Sequence, residues 1–427
     1  MLNNKRYVRM LTGLTALLLG LCGCAVPPET ISAPSGVQAP VAPANVPEKP
    51  DAAADAGGAP VTLNLADFGA AGNGQADDTA ALRNAVSAVL EAGGGTVYLP
   101  AGTYRLMDTL MLTGDDSALL TLRADPTGQT VLVADASVNG PAVWIERSGV
   151  TLFGLDIILG TTEDQPAVLV TGSHVTLDSV TARMTAGNTQ PGFLVYGSYD
   201  TLRNCGVGYV SDTQYMVVFS KMPGLDAVGN VLEDCHFGGM AGKCVLVTSE
   251  DDNGVPEQLT IRRNVFLVVG CDQVEVRAAR NLYIIDNMLD AAGVCVLLDP
   301  LPAGVRGVQI TDNYCGVRTE SAYGGTLENV IVSANYFWCP NAVRVVLPEY
   351  TGFSLTDNYF VLTGGDAVYM AAAVGAYMEG NVVANIGGQC PLRLEAVDEM
   401  TVIQGNAWGN GIEVPEWRTR FAAQNSM

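Results

Sequence analysis

The chain has 427 residues, with 22 Lys and Arg against 44 Asp and Glu, a formal net charge of −22. That balance argues against nucleic acid and against charge-driven adhesion to anionic lipid, and it opposes a polyanionic ligand unless a basic patch or a cation intervenes. Hydrophobic residues make up 48% of the chain beside 48 glycines, which is core-forming material broken by many turns.

Residues 1–23 read as a targeting segment, with Lys5, Arg6 and Arg9 ahead of an apolar run from Leu11 to Leu21. The run is too short for a comfortable membrane span. Leu21-Cys22-Gly23-Cys24 resembles the lipobox of bacterial lipoproteins. That resemblance implies Cys24 as the lipid-bearing first residue of an extracytoplasmic, membrane-anchored protein; the alternative is an ordinary secretion signal. Without the segment the chain keeps 19 basic and 44 acidic residues, a charge of −25. Residues 24–60, rich in Ala, Pro, Val and Gly, bury nothing and read as a semi-extended tether.

A compact domain is expected over 61–411, opening with Asp67-Phe68-Gly69-Ala70, Gly72-Asn73-Gly74 and Asp77-Asp78-Thr79. A helix is predicted over Ala81–Ala92, with Leu82, Ala85, Val86, Val89 and Leu90 as its apolar stripe and Asp77 or Asp78 as its cap. Gly94-Gly95, Val97-Tyr98-Leu99-Pro100 and Gly102-Thr103-Tyr104 follow as turn and strand. This run resembles the N-terminal motif of pectate-lyase superfamily right-handed β-helices, including rhamnogalacturonase-like and tailspike-like members. The resemblance implies a helix plugging one end of a solenoid, a role shared by lyases, hydrolases, epimerases and non-enzymes alike.

From residue 259 one phrase recurs, as LTIRRN, LYIIDN, VQITDN, VIVSAN, FSLTDN, AYMEGN and TVIQGN. Its closing residues are Asn264, Asn287, Asn313, Asn335, Asn358, Asn381 and Asn406, at spacings of 22 to 26. An aliphatic residue stands three places before each Asn, and a bulky or apolar one two places after it. Leu155, Val180, Cys205 and Cys235 continue the register backwards, with two longer steps near 205–264 implying inserted loops. A period near 24 with two-residue alternation and no intervening helix predicts an all-β, right-handed parallel β-helix of about eleven or more rungs. The Asn is expected at a left-handed corner, with amides stacked from rung to rung. A second strand per rung places Trp144, Leu169, Leu246, Glu275, Leu297, Arg344, Tyr369 and Arg393 outward. Residues 412–427 are expected to leave the coil and cover its far end with Trp417 and Phe421.

Eight cysteines remain after Cys22 and Cys24, and several occupy inward positions. Free buried thiols are expected, with Cys205–Cys235 the one pair placed to form a disulfide.

Chemistry is harder to place. The superfamily implies cleavage or modification of an acidic polysaccharide. Hydrolysis would need facing carboxylates, and the Asn-x-Asp, Asp-pair, Gly-His-Gly and Arg-x-Lys pattern of polygalacturonases is missing. Asp115-Asp116 and Asp251-Asp252 lack a His-containing partner motif, and His174 and His236 read as structural. Elimination would need a base, a cation such as Ca2+, and Lys or Arg against the substrate carboxylate. The stretch 271–281, CDQVEVRAARN, collects those types. It loosely resembles the Glu-rich strand with a downstream base in β-helical alginate and chondroitin lyases. Asp272 and Glu275 are candidate metal ligands, and Arg277, Arg280 and Lys243 candidate catalytic groups. Lys221, Arg344 and Arg393 are candidate substrate-binding residues, and Tyr209, Tyr215, Tyr323 and Trp338 candidate sugar platforms. The competing reading of 271–281 is an outward ion-pair ladder with Glu275 beside Arg277. Three functions stay open: a lyase- or hydrolase-like enzyme, a carbohydrate-binding or adhesive surface protein, and a spacer.

Overall fold

The computed structural model describes residues 60–408, except 162–163, 186, 209–214, 240–242, 269–271, 291–294, 340, 348–349, 363–364 and 386–391, together with Ile412 and Glu413. The lipobox, the tether and the expected Trp417 and Phe421 cover lie outside the described residues.

The described chain is a parallel β-solenoid of about 12 turns. Every named strand pair is parallel, and each strand pairs with its counterpart one rung away. Three faces result. One is a 14-stranded sheet and one a 13-stranded sheet. The third is shared by a six-stranded sheet and two three-stranded ones. The repeated phrases form the 14-stranded sheet, whose inward residues stack in register. Leu152, Leu177, Leu202, Leu232, Ile261, Ile284, Ile310, Val332, Leu355, Met378 and Ile403 follow one another along the axis, each fully buried. Around the corner the bulky residues fill the interior likewise. Phe237 stacks on Phe266, and Phe337 on Phe360 with ring centroids 4.6 Å apart.

The asparagines form the expected ladder, but not at the left-handed position. That position falls one residue earlier, at Ser179, Asn204, Asp234, Arg263, Asp286, Asp312, Ala334 and Asp357, and at Gly154, Gly380 and Gly405. The turn therefore aims the following side chain inward, where Asn pairs with its neighbours. Asn335 shows the pattern. Its Oδ1 accepts from the Asn313 backbone N–H at 2.9 Å and from Asn313 Nδ2 at 3.1 Å. Its Nδ2 donates to the Ile310 carbonyl at 2.7 Å and to Asn358 Oδ1 at 3.1 Å. An amide is the side chain that satisfies donors and acceptors on both sides of a buried corner. In the earlier rungs the ladder passes to Cys235, whose N–H donates to Asn264 Oδ1, and then to Cys205. Cys205, Cys235, Cys244, Cys295, Cys315 and Cys339 are free thiols.

At the N-terminal end the helix runs Thr79–Glu91, two residues ahead of expectation at its start, and buries Leu82, Ala85, Val86 and Val89. Asp78 occupies the cap position without capping. Its carboxylate instead accepts the backbone N–H groups of Ala71 and Gly72, pinning the Gly-rich loop to the helix start. Asp77 takes the Thr79 N–H at 2.9 Å. At the other end Ile412–Glu413 pairs with Leu392–Leu394, so the coil runs past the expected boundary at 411.

Replacing Asn335 with Leu removes four hydrogen bonds from the buried corner, those of the Asn313 backbone N–H, Asn313 Nδ2, the Ile310 carbonyl and Asn358 Oδ1, and a loss of about 3 kcal/mol is expected. Urea denaturation measures it; an unchanged midpoint would remove the ladder from the account of stability.

Candidate functional site

The outer face of the 13-stranded sheet carries the charged residues singled out in the sequence. Register places Leu246, Glu275, Leu297, Arg318, Arg344, Tyr369 and Arg393 one rung apart in that order. Neighbouring strands are about 4.8 Å apart, so the line from Glu275 to Arg393 extends over roughly 24 Å.

At its upper end lies a dense network. Glu275 points outward, as expected, but is only 2% exposed because neighbouring groups close over it. Its Oε2 accepts from Lys243 Nζ at 2.5 Å and from the Tyr215 hydroxyl at 2.7 Å, and its Oε1 from Arg277 Nε at 2.6 Å. Arg277 also reaches the Tyr215 oxygen at 2.9 Å and lies over the Tyr323 ring at 5.0 Å. Burial opposes ionisation of Glu275, yet the bonds from Lys243 and Tyr215 and the charge of Arg277 outweigh it and hold its carboxyl below the usual glutamate range. Burial, reinforced by Glu275, pushes the Tyr215 phenol well above its ordinary value. The network at neutral pH is thus an ionised Glu275, a protonated Tyr215 and two cations. The side chains of Lys243 and Arg277 are 31% and 20% exposed, so these cations form the solvent-facing rim.

This geometry does not fit a calcium ion at Asp272 and Glu275. Both Glu275 oxygens are held by protein donors, and Arg318 stands 3.9 Å from the Asp272 carboxylate. Burial shifts Asp272 towards its protonated form, which weakens it as a ligand. Among the described residues no three His, Cys, Asp or Glu side chains are grouped to hold a metal.

Two other candidates are drawn away from the cluster. Arg280 starts the next face, on a strand of the 14-stranded sheet, and pairs with Glu257 at 2.7 Å. Arg306 beside it approaches Glu328 at 3.4 Å. Glu275 and Arg277 form the ion pair anticipated for them, and a further run of ion pairs lies here. Lys221 is withdrawn as well: its ammonium donates to the carbonyls of Met222 and Leu225 and lies 3.5 Å from Asp251. Arg344 and Arg393 do share the strip. Arg344 lies over the Tyr369 ring at 4.5 Å and has no carboxylate at ion-pair distance among the described residues, while Arg393 approaches Asp366 at 3.5 Å. Of the expected aromatics, Tyr215 is buried in the network, Tyr323 and Trp338 are exposed, and Tyr209 lies outside the described residues.

Sequence reasoning missed Arg318, the residue joining the network to the strip. Its strand, Val317–Thr319, carries a polar residue at an inward position, and this hides the alternation. Thr319 is tolerated there because its hydroxyl accepts the N–H groups of Val346 and Leu347.

The comparisons with known proteins bear on the fold. A family model described as rhamnogalacturonase A/epimerase, pectate lyase-like, matches residues 62–271. That match spans just under half of the chain, which has the fold of a pectate-lyase-like right-handed parallel β-helix. Mannuronan C5-epimerase AlgE1 of Azotobacter vinelandii is 46% identical over 77 residues, 17% of this chain and 5% of that protein. Plasmin and fibronectin-binding protein A of Streptococcus pneumoniae is 32% identical over 103 residues, 24% of this chain and 14% of that protein. The matched stretches are thus small parts of both relatives. The A-module of mannuronan C5-epimerase AlgE6 from A. vinelandii superposes with a TM-score of 0.51 at 18% identity, covering 83% of this chain and all of that one. That likeness is one of fold.

Glu275→Gln removes the charge that balances Lys243 and Arg277, and a destabilisation of about 3 kcal/mol is expected. The lowered Glu275 pKa makes its contribution present above the ordinary glutamate range and lost as pH falls through the folded value. Denaturation midpoints should therefore converge for wild type and variant on acidification, and parallel curves would contradict this.

Proposed function

We propose that this chain engages a uronate-bearing polysaccharide along the outer face of the 13-stranded sheet and abstracts the proton α to a uronate carboxylate at the Tyr215–Lys243–Glu275–Arg277 network. The observation that carries it is the strip of Arg318, Arg344 and Arg393 leading to that network. Arginine forks suit carboxylates, and Arg344 in that line has no carboxylate at ion-pair distance among the described residues. The epimerase names among the relatives support the same class of substrate and the same first step.

In the proposed chemistry Arg277 neutralises the uronate carboxylate, and Lys243 is the base once its ammonium proton has passed to solvent. The C–H electron pair forms the C4–C5 double bond as the C4–O bond breaks, and Tyr215, kept protonated, supplies the proton to the leaving oxygen. Return of the proton to the opposite face instead gives epimerisation. Glu275 positions all three groups. A second reading, polysaccharide binding without turnover, is favoured by the mutual saturation of the network, in which every polar group already has a partner.

The membrane placement is also a proposal. Lys5, Arg6, Arg9 and the run to Cys24 support a lipid anchor, with residues 25–60 as the tether. Labelled palmitate incorporated by wild type and not by Cys24→Ala would support it; labelling unaffected by that change would refute it.

The catalytic proposal is tested by ultraviolet absorbance of unsaturated ends and by NMR of uronate configuration, using a panel of polyuronates. Lys243→Ala should lower either rate by about 100-fold or more without a comparable loss of binding. Reducing ends without unsaturation would redirect the mechanism to hydrolysis. Binding without product would leave the second reading.

A further inference from the structure

A cavity of about 340 Å³ opens at the corner between the 13-stranded and 14-stranded sheets, away from the cationic strip. This volume lies at the low end of small-ligand sites. One wall is the pair His174 and Tyr199, stacked with ring centroids 5.2 Å apart and 23° between planes. The opposite wall is the segment around Gly224, Leu225, Asp226 and Val228. That segment belongs to the 30-residue step between Cys205 and Cys235, one of the two long steps of the coil.

The two rings stand where this coil elsewhere prefers small or amide residues. Equivalent corners hold Gly149, Gly229, Gly307, Gly352 and Gly375, or Asn281 and Asn329, all with positive φ. His174 and Tyr199 adopt the same left-handed backbone, at φ 58 and 59, a conformation that a bulky tyrosine adopts reluctantly. Their seat is shaped for them: a Cβ on Gly229 would lie 2.7 Å from Tyr199 Cδ1. Neither the His174 imidazole nor the Tyr199 hydroxyl has a hydrogen-bond partner among the described residues. Core packing does not explain the pair, since His174 is exposed and Tyr199 is 40% exposed.

We infer that this cavity is a second carbohydrate site, one that takes a neutral pyranose rather than a uronate. The aromatic wall offers apolar surface to the C–H face of a sugar. The imidazole, the phenol and the Asp226 carboxylate offer donors and acceptors to its hydroxyls. Asp226 is 90% exposed on its side chain and 3.9 Å from Lys221, whose ammonium is turned to the Met222 and Leu225 carbonyls. A carboxylate at the mouth with no cation directed inward disfavours an anionic sugar. The site therefore complements the cationic strip and does not depend on it.

The chain has only two histidines, so imidazole NMR signals report the site directly, with His236 on the third face as the internal control. Residues 61–427 would be titrated with millimolar glucose, galactose, mannose, N-acetylglucosamine and their disaccharides, and with galacturonate and mannuronate. A neutral sugar should shift the His174 signal saturably and leave His236 in place. Asp226→Asn, on an exposed loop, should weaken that response about tenfold, the loss of one hydrogen bond to a charged group. Tyr199→Ala should abolish it. No shift with any neutral sugar, an equal response to uronates, or an Asp226→Asn variant that binds as wild type would overturn the inference. Loss of polyuronate activity in Lys243→Ala would not bear on it, so the two sites fail separately.

Discussion

A coil of short strands can stack indefinitely only if every corner satisfies its buried polar groups in the same way. From Asn264 onward that constraint is met by a residue with positive φ followed by an inward Asn. Each amide bonds the rung before it and the rung after it. A misplaced rung would leave both neighbours with unpaired groups in a low-dielectric interior, which is costly. The ladder therefore fixes register as well as stability. The aliphatic stack on the adjoining face then falls into line, and so do the side chains on the outside.

The outer faces inherit that order. Because each rung advances by one strand spacing, residues at one outward position become a line along the axis. On the 14-stranded face the line runs Glu257, Arg280, Arg306 and Glu328, and each arginine pairs with a carboxylate in that line. On the 13-stranded face Arg318 and Arg344 stand in successive rungs; Arg318 pairs with Glu320 at 2.7 Å, while Arg344 has no carboxylate at ion-pair distance among the described residues. Arg344 is thus what distinguishes the 13-stranded line from the paired one.

Much of this was legible in the sequence, for a physical reason. Solenoid contacts repeat at a fixed separation, so the long-range partners of Asn313 can be read as Asn287 and Asn335. The outward strip at Arg344, Tyr369 and Arg393 followed from the same periodicity. What could not be read was anything set by a corner. Arg277 and Arg280 are three residues apart, yet a turn sends them to different sheets. Glu275 was placed outward, but its burial depends on Tyr215 folding over it from 60 residues away. The pairing of His174 with Tyr199 was invisible because both occupy corner positions that resemble ordinary turn residues. Arg318 was hidden by Thr319, whose hydroxyl substitutes for an aliphatic side chain inside the coil.

The central functional claim is that the line through Arg318, Arg344 and Arg393 receives the carboxylates of an acidic polysaccharide. Arg344 isolates it best, since it is exposed and contacts the Tyr369 ring rather than a carboxylate. Calorimetric titration of a defined oligouronate into wild type and Arg344→Glu, at two salt concentrations, is the most direct measurement. The account predicts binding that weakens with salt and falls at least about tenfold in the variant, a change of about 1.4 kcal/mol. Equal affinity in the two proteins, or equal binding of a neutral oligosaccharide of the same length along that face, would contradict it.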